Sequence, residues 1–133
     1  MRQVISFIFT EFRNALSESG QKYIILEVKE EVSLIAYTNI PIIHYWIRYF
    51  LDSDNNLEEN ADIYKLQMFL KVMIKQGEVE PVIEKIVETV KKIWNNKVEI
   101  NIDPVVEGNL EMLTAALKLE WRVAFTAEKW RIL

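Results

Sequence analysis

Cysteine is absent from the sequence, and histidine, glycine and proline are scarce, with one, three and three residues among 133. Without cysteine the chain has no disulfide, no thiolate zinc or iron–sulfur centre and no thiol nucleophile. A single histidine excludes a metal site built from several imidazoles. Gly20, Gly77 and Gly108 stand too far apart to form a phosphate-binding loop or a dinucleotide fingerprint. These absences predict a protein that is not an enzyme and that uses no cofactor.

Long hydrophobic runs are also missing. No stretch approaches the roughly 18 uninterrupted apolar residues that a membrane-spanning helix needs. Glu11 and Arg13 interrupt the apolar run near the amino terminus, and no small-residue cleavage site follows, so a secretory signal is not expected. We therefore expect a cytoplasmic protein without a transmembrane segment. The composition, rich in Lys, Glu, Ile and Val, is typical of thermophiles, although nine Asn residues count against that origin.

Charge and apolar content restrict the remaining classes. Sixteen basic and 20 acidic residues give a net charge of −4, which argues against a generally basic nucleic-acid-binding protein. Half of the residues are apolar, and four Trp, five Tyr and six Phe are among them, so we expect a packed core. The length of 133 residues fits a single domain that spans 1–133.

Apolar residues at helical spacing predict two amphipathic helices, one that ends near Gly20 and one over 79–94. Charged residues occupy the opposite side of the second helix, where Glu88 and Lys92 form a favourable i,i+4 pair. The apolar positions of the first helix are Val4, Ile5, Ile8, Phe9, Phe12 and Leu16. Those of the second are Val79, Ile83, Ile86, Val90 and Ile93, with Val82, Val87 and Trp94 widening the stripe.

Three further helices are expected from apolar runs and start signals. The first covers 42–51, after Pro41, and is apolar on nearly every side, so either its own domain or a partner must cover it. The second covers 63–73. The third covers 104–117 and begins at Asp103, where an N-cap residue is followed by proline.

Alternating and β-branched segments predict strands. A β-hairpin is expected over 23–38, a strand over 97–102, and a terminal hairpin over 119–126 and 129–133. The predicted fold is α+β, a single domain with about five helices packed on a small antiparallel sheet. The alternative is a mostly α protein with one β-hairpin, in which 104–127 forms one long helix.

The excess of apolar surface favours a non-catalytic assembly or interaction protein, either a homo-oligomer or a small accessory subunit of a larger complex. A chain of this length has difficulty in burying so many large apolar groups by itself, and aromatic residues are typical of interface cores. The candidate interface residues are Phe9, Phe12, Tyr45, Trp46, Tyr49 and Phe50.

Nucleic-acid binding through the carboxyl-terminal segment is an alternative function. In this segment basic residues interleave with aromatic ones, as a stacking surface with phosphate contacts requires. Glu120 and Glu128 lie among them, and in a strand the aromatic side chains would face away from the basic ones. The basic candidates are Lys118, Arg122, Lys129 and Arg131, and the aromatic ones are Trp121, Phe125 and Trp130.

Binding of an apolar small molecule is a weaker alternative, with His44 and Tyr45 as polar handles in an apolar pocket. The simpler interpretation of His44 is a hydrogen-bonded histidine of the core or of an interface. A metal site is not expected. The segment from Asp52 imitates the start of a calcium loop, but Leu57 and Ile63 stand where that loop requires glycine and glutamate.

Overall fold

The computed structural model describes residues 1–27, 39–52, 61–75, 77–108, 113–127 and 129–133. Within these ranges the chain forms two α-helices and six β-strands, with a short 3-10 turn after the second helix. The helices are α1 (Arg2–Glu18) and α2 (Val79–Trp94). The strands are β1 (Ile24–Glu27), β2 (Ile42–Leu51), β3 (Asp62–Ile74), β4 (Val98–Gly108), β5 (Leu113–Thr126) and β6 (Lys129–Ile132).

The six strands form one sheet, in the order β1-β2-β3-β5-β4, which curls into a half-barrel. β1 is parallel to β2, and the other described pairs are antiparallel. On one side of β5, β4 pairs with its first part and β6 pairs with its last four residues. β3 and β5 therefore lie inside the sheet, and β2 and β4 lie towards its two edges.

Both helices pack on one side of this sheet, which we call the helix face. Alternate strand residues point to this face, and they form one core with the apolar stripes of α1 and α2. Phe9 of α1 stacks on Tyr45 of β2 with ring centroids 4.6 Å apart. Trp94 of α2 meets the fully buried Trp121 of β5 edge-on at 5.0 Å. These aromatic pairs connect each helix to a different strand.

The opposite side, which we call the far face, carries a mixture of aromatic, charged and small side chains. Because neighbouring strands are in register, these residues form transverse rows across the sheet. Three of these rows each cross β2, β3, β5 and β4 in that order. The first is His44, Lys71, Ala116 and Asp103, the second is Trp46, Phe69, Lys118 and Asn101, and the third is Arg48, Gln67, Glu120 and Glu99.

The predicted fold of about five helices on a small sheet is wrong, and so is the mostly α alternative. The segments 42–51 and 63–73 are strands β2 and β3. A strand buried on both faces shows a continuous apolar run, which periodicity alone does not distinguish from a buried helix. In β3 the helix-like spacing combines residues of both faces, since Leu66 and Leu70 point to the helix face and Ile63 to the far face.

The helix predicted over 104–117 is also wrong. Asp103 and Pro104 lie within β4, just before a shift in its register with β5. Within the described chain, β4 pairs with β5 on one side and with no strand on the other. An edge strand tolerates proline, because an N–H on its unpaired side makes no sheet hydrogen bond. The long helix considered over 104–127 is replaced by the end of β4 and by β5.

Other local predictions are confirmed. Helices α1 and α2 occupy the two amphipathic segments, β4 covers the strand predicted over 97–102, and β5 and β6 form the terminal hairpin. Residues Ile24–Glu27 form a strand, but it pairs in parallel with β2, and 28–38 lie outside the described residues. Neither of the two described helices combines the length and hydrophobicity needed to cross a lipid bilayer.

Candidate functional site

In the described part of the chain, the second half of β2 has no strand paired with its outer side. β3 pairs with β2 along its whole length, from Ile42 to Leu51, whereas β1 pairs with it only over 42–45. Among the described strands, none therefore pairs with the outer side of residues 46–51. We call this segment, Trp46–Leu51, the β2 edge. Its outward N–H and C=O groups are available to another strand.

The β2 edge also carries most of the large apolar side chains that remain exposed. Seven such side chains are exposed in the described part of the chain, and four of them lie on this edge. Trp46 and Phe50 are each 42% exposed on the far face, while Tyr49 and Leu51, at 50% and 53%, are exposed on the helix face. Because both faces are apolar, a partner must approach along the edge in order to cover them.

On the far face, the aromatic side chains of the β2 edge are held by ring stacking and by contacts with Arg48. Trp46 lies parallel to Phe69 of β3, with ring centroids 4.2 Å apart and planes 8° apart. The Arg48 guanidinium lies 5.0 Å from the Phe69 centroid and within 6 Å of the Trp46 and Phe50 centroids. Such cation–π contacts favour a fixed arrangement of cation and rings.

A chain of hydrogen bonds holds that arginine. Arg48 Nε donates to Gln67 Oε1 at 2.6 Å, and Gln67 Nε2 donates to Glu120 Oε1 at 2.5 Å. Gln67 is buried, and its amide oxygen and amide nitrogen each have a hydrogen-bond partner in these two neighbours. The chain runs across β2, β3 and β5 and links the orientation of Arg48 to the middle of the sheet.

The opposite edge of the sheet is different. Along β4 the far-face positions 99, 101 and 103 are Glu, Asn and Asp, all exposed, and Pro104 and a register shift follow. Acidic side chains, proline and irregular register are the means by which proteins prevent edge-to-edge pairing. The β2 edge contains none of them, and Arg48 is its single charged residue.

A cleft of about 450 Å³ opens on the far face beside the β2 edge. Ala116 and Thr114 of β5 form its floor, and the stacked pair Trp46 and Phe69 forms one wall. Three further polar residues line it, His44 of β2, Lys71 of β3 and Asp103 of β4.

His44 is half-buried at one side of this cleft. Its Nε2 lies 2.9 Å from the carbonyl oxygen of Glu27 in β1. Because a carbonyl oxygen only accepts, Nε2 carries the proton in this bond, and Nδ1 is the ring nitrogen left for another partner. His44 is therefore a hydrogen-bonded histidine that also lines a pocket.

The candidate interface residues do not lie together. Phe12 and Tyr45 are buried in the core, and Phe9 is half-buried against Tyr45. Only Trp46, Tyr49 and Phe50 are exposed, and they lie on the β2 edge. Leu51 is the most exposed large apolar side chain among the described residues. It was not a candidate, although its position at the end of the apolar run is visible in the sequence.

The basic candidates of the carboxyl-terminal segment face away from the aromatic ones. Lys118 and Arg122 point to the far face, whereas Trp121 is fully buried on the helix face. Phe125 and Trp130 are half-buried on that face too, and Lys129 and Arg131 are exposed on β6. Arg122 Nε lies 3.6 Å from Oδ2 of the buried Asp52. Within the carboxyl-terminal segment, the described rings and cations therefore lie on opposite faces of the sheet.

Of residues 52–56, which imitate the start of a calcium loop, the structure describes Asp52 alone, since 53–60 lie outside the described residues. Its contact with Arg122 is that of a buried structural carboxylate. No group of three or more potential metal ligands occurs among the residues described. No family model matches the sequence, and no curated protein matches it, so its function has to be inferred from these surfaces.

Proposed function

We propose that this is a non-catalytic interaction protein that self-associates by pairing the β2 edges of two copies. The observation that supports this proposal lies on residues 46–51, where no described strand pairs with the outer backbone edge and four large apolar side chains are exposed. An unprotected edge of this kind pairs readily with another strand. A second copy is the simplest partner because it brings the same edge.

A twofold axis through Tyr49 gives the most favourable register. Two antiparallel β2 edges centred there place Arg48 opposite the partner's Phe50 and Ile47 opposite the partner's Leu51. The first is a cation–π pair and the second an apolar pair. If the axis passed through Arg48 instead, the two Arg48 side chains would lie opposite each other, and the repulsion between like charges would destabilise that register.

Pairing in this register would bury the exposed groups on both faces of the strand. Trp46 and Phe50 would be covered on the far face, and Tyr49 and Leu51 on the helix face. Aromatic residues at the centre of an interface, with one arginine, are the usual composition of binding hot spots. The outward N–H and C=O groups of the strand would be satisfied in the same step.

The proposal is tested by sedimentation velocity across a concentration series. We expect the wild-type protein to approach twice the monomer mass of 15.8 kDa as its concentration rises. Leu51→Lys should remain monomeric, because it places a charge on the edge where pairing would bury it. Ile102→Lys is the matched control, since Ile102 is 50% exposed on β4, the protected edge. This control should associate as the wild type does.

Two results would contradict the proposal. One is a wild-type protein that stays monomeric at high micromolar concentration, since the β2 edge would then have no affinity for itself. The other is an Ile102→Lys protein that loses association to the same extent as Leu51→Lys, since the contact would then not be specific to β2. An accessory subunit of another complex would use the same edge for a foreign strand, and Leu51→Lys would weaken that contact as well.

A further inference from the structure

The centre of the far face is basic, although the whole chain carries a net charge of −4. Four successive rows cross β2, β3 and β5 between His44 and Phe50, and among their side chains are five cations and a single carboxylate, that of Glu120. The other described acids of this face border these rows, at the end of β2 and on β4. We call the four rows the basic patch, and its cations are Arg48, Lys65, Lys71, Lys118 and Arg122.

Three lysines of the basic patch are not neutralised by any described side chain. Lys65 and Lys118 are half-buried and Lys71 is exposed, and none of them forms an ion pair or a hydrogen bond within the described residues. Arg122, in contrast, is engaged by Asp52. Because the three lysines lie in three different rows, the basic patch attracts a ligand that carries several negative charges in succession, such as a chain of phosphates.

Aromatic rings alternate with cations along the strands of the basic patch. On β2 the far-face order is Trp46, Arg48 and Phe50, and on β3 Phe69 is followed by Lys71. Successive residues on one face of a strand are about 7 Å apart. A surface on which rings and cations alternate in this way contacts both parts of an unpaired nucleotide, its base and its phosphate.

Trp46 has one ring face on which a base can stack. Its other face is covered by Phe69, the ring of which lies parallel to it at 4.2 Å. Because Phe69 belongs to β3, the second face of Trp46 points away from β3, towards the open side of the β2 edge, and 42% of the side chain is exposed. Phe50, exposed to the same extent, offers a second ring on the same strand. The guanidinium of Arg48 lies within 6 Å of the centroids of both Trp46 and Phe50 and supplies donors between them.

We propose that the basic patch binds single-stranded nucleic acid. Unpaired bases stack on Trp46 and Phe50, and phosphates contact Lys65, Lys71 and Lys118. A duplex is disfavoured, because its bases are stacked on one another and do not present their faces. The basic patch lies on a single copy of the chain, so this binding does not depend on the self-association proposed above. A bound strand and a second copy compete for Trp46, which both of them contact.

The fluorescence anisotropy of a labelled, unstructured oligodeoxynucleotide of about 16 nucleotides tests the proposal. We expect saturable binding to the wild-type protein at low salt, with an affinity that falls as salt is added, because neutralised phosphates release their counterions. The duplex of the same oligonucleotide with its complement should bind about tenfold more weakly, since its bases cannot stack on the rings. A surface that uses charge alone would bind the more highly charged duplex at least as tightly.

Lys71→Gln combined with Lys118→Gln tests the phosphate contacts. We expect the affinity for the strand to fall about tenfold and the slope of log affinity against log salt to become shallower by about 0.7 for each lost contact. The matched control combines Lys91→Gln with Lys92→Gln, which changes the net charge equally but at exposed positions of α2, on the other side of the sheet. This control should bind the strand as the wild type does.

Trp46→Leu tests the stacking, in a Leu51→Lys background so that self-association does not contribute. We expect the affinity for the strand to fall about tenfold without a change in the salt slope, because a ring is lost and no charge is. Phe7→Leu in the same background is the control, since Phe7 is exposed on α1. Leu51→Lys by itself should bind the strand at least as tightly as the wild type, because Leu51 lies on the helix face and the competing copy is absent.

Four results would overturn the proposal. They are a wild-type protein that does not bind the strand at low salt, a duplex that binds as tightly as the strand, a control on α2 that weakens binding as much as the variant of the basic patch, and a Trp46→Leu protein that binds as tightly as Phe7→Leu. Sedimentation measures self-association and anisotropy measures nucleic-acid binding, so the failure of one proposal is distinguished from the failure of the other.

Discussion

At the scale of single residues, Arg48 connects the two surfaces described above. It contacts three aromatic rings, and Gln67 fixes its Nε in an orientation that depends on Glu120 in the middle of the sheet. Because the arginine lies beside these rings without enclosing them, Trp46 remains accessible both at the β2 edge and at the cleft. A residue held in place before binding loses little conformational entropy when a partner arrives.

Trp46→Ala tests the contribution of that residue to association. We expect the dimer to be weakened by about 2 kcal/mol or more, which is typical of an aromatic hot spot. Sedimentation equilibrium measures the association constant directly. Phe7→Ala is the control, because Phe7 is exposed to a similar extent, at 44%, but lies on α1. If Trp46→Ala associates as tightly as Phe7→Ala, then Trp46 does not belong to the interface.

Tyr23 predicts a dependence of stability on pH. Burial raises the pKa of its phenol above the usual 10.0, and the neighbouring Ser19 hydroxyl offsets part of this effect. The native state therefore favours the protonated form more than the unfolded state does. The resulting stabilisation is fully present below the unfolded pKa of 10.0 and is lost as the pH rises through the higher native value.

Tyr23→Phe removes that titration. In urea unfolding at pH values below and above 10.0, the wild type should lose more stability between the two than Tyr23→Phe does. Equal losses in the two proteins would show that Tyr23 ionises equally well in the native and unfolded states, and the assignment of its pKa shift to burial would be wrong.

At the scale of elements, the type of each helix or strand could be predicted from sequence periodicity when only one of its faces is buried. Helices α1 and α2 each bury one stripe, as at Val4 and Ile8, so their period of 3.6 residues was visible in the sequence. β2 begins with Ile42 and Ile43 both fully buried, one on each face of the sheet, and no period-two alternation survives there. Sequence periodicity therefore failed at β2 and β3, whereas the alternation in β5 was visible over 119–126.

The candidate site was predictable to a similar extent. The aromatic residues Trp46, Tyr49 and Phe50 were identified because they are concentrated in one segment, although the segment is a strand and not a helix. Of the residues that line the cleft, the sequence pointed to His44 as a ligand handle and to Trp46 as an interface residue. Lys71 and Asp103 were not identified, because the pairing of β2, β3, β5 and β4 that brings them near His44 is a tertiary property.

At the scale of the whole molecule, the half-barrel separates stability from recognition. The helix face contains the core, in which Trp121 meets Trp94 of α2. The far face carries the cleft, and the β2 edge lies at the border between the two. A substitution at the exposed position Leu51 should therefore change association with little effect on the unfolding free energy, since its side chain does not contribute to the buried core.

Hydrogen exchange of the β2 backbone at low and high protein concentration tests the self-association most directly. In the monomer, alternate amides of Trp46–Leu51 point outward and exchange with water. We expect exchange across 46–51 to slow as the concentration rises, while 98–103 on the protected edge of β4 exchanges at the same rate throughout. Equal exchange of 46–51 at both concentrations would contradict the self-association.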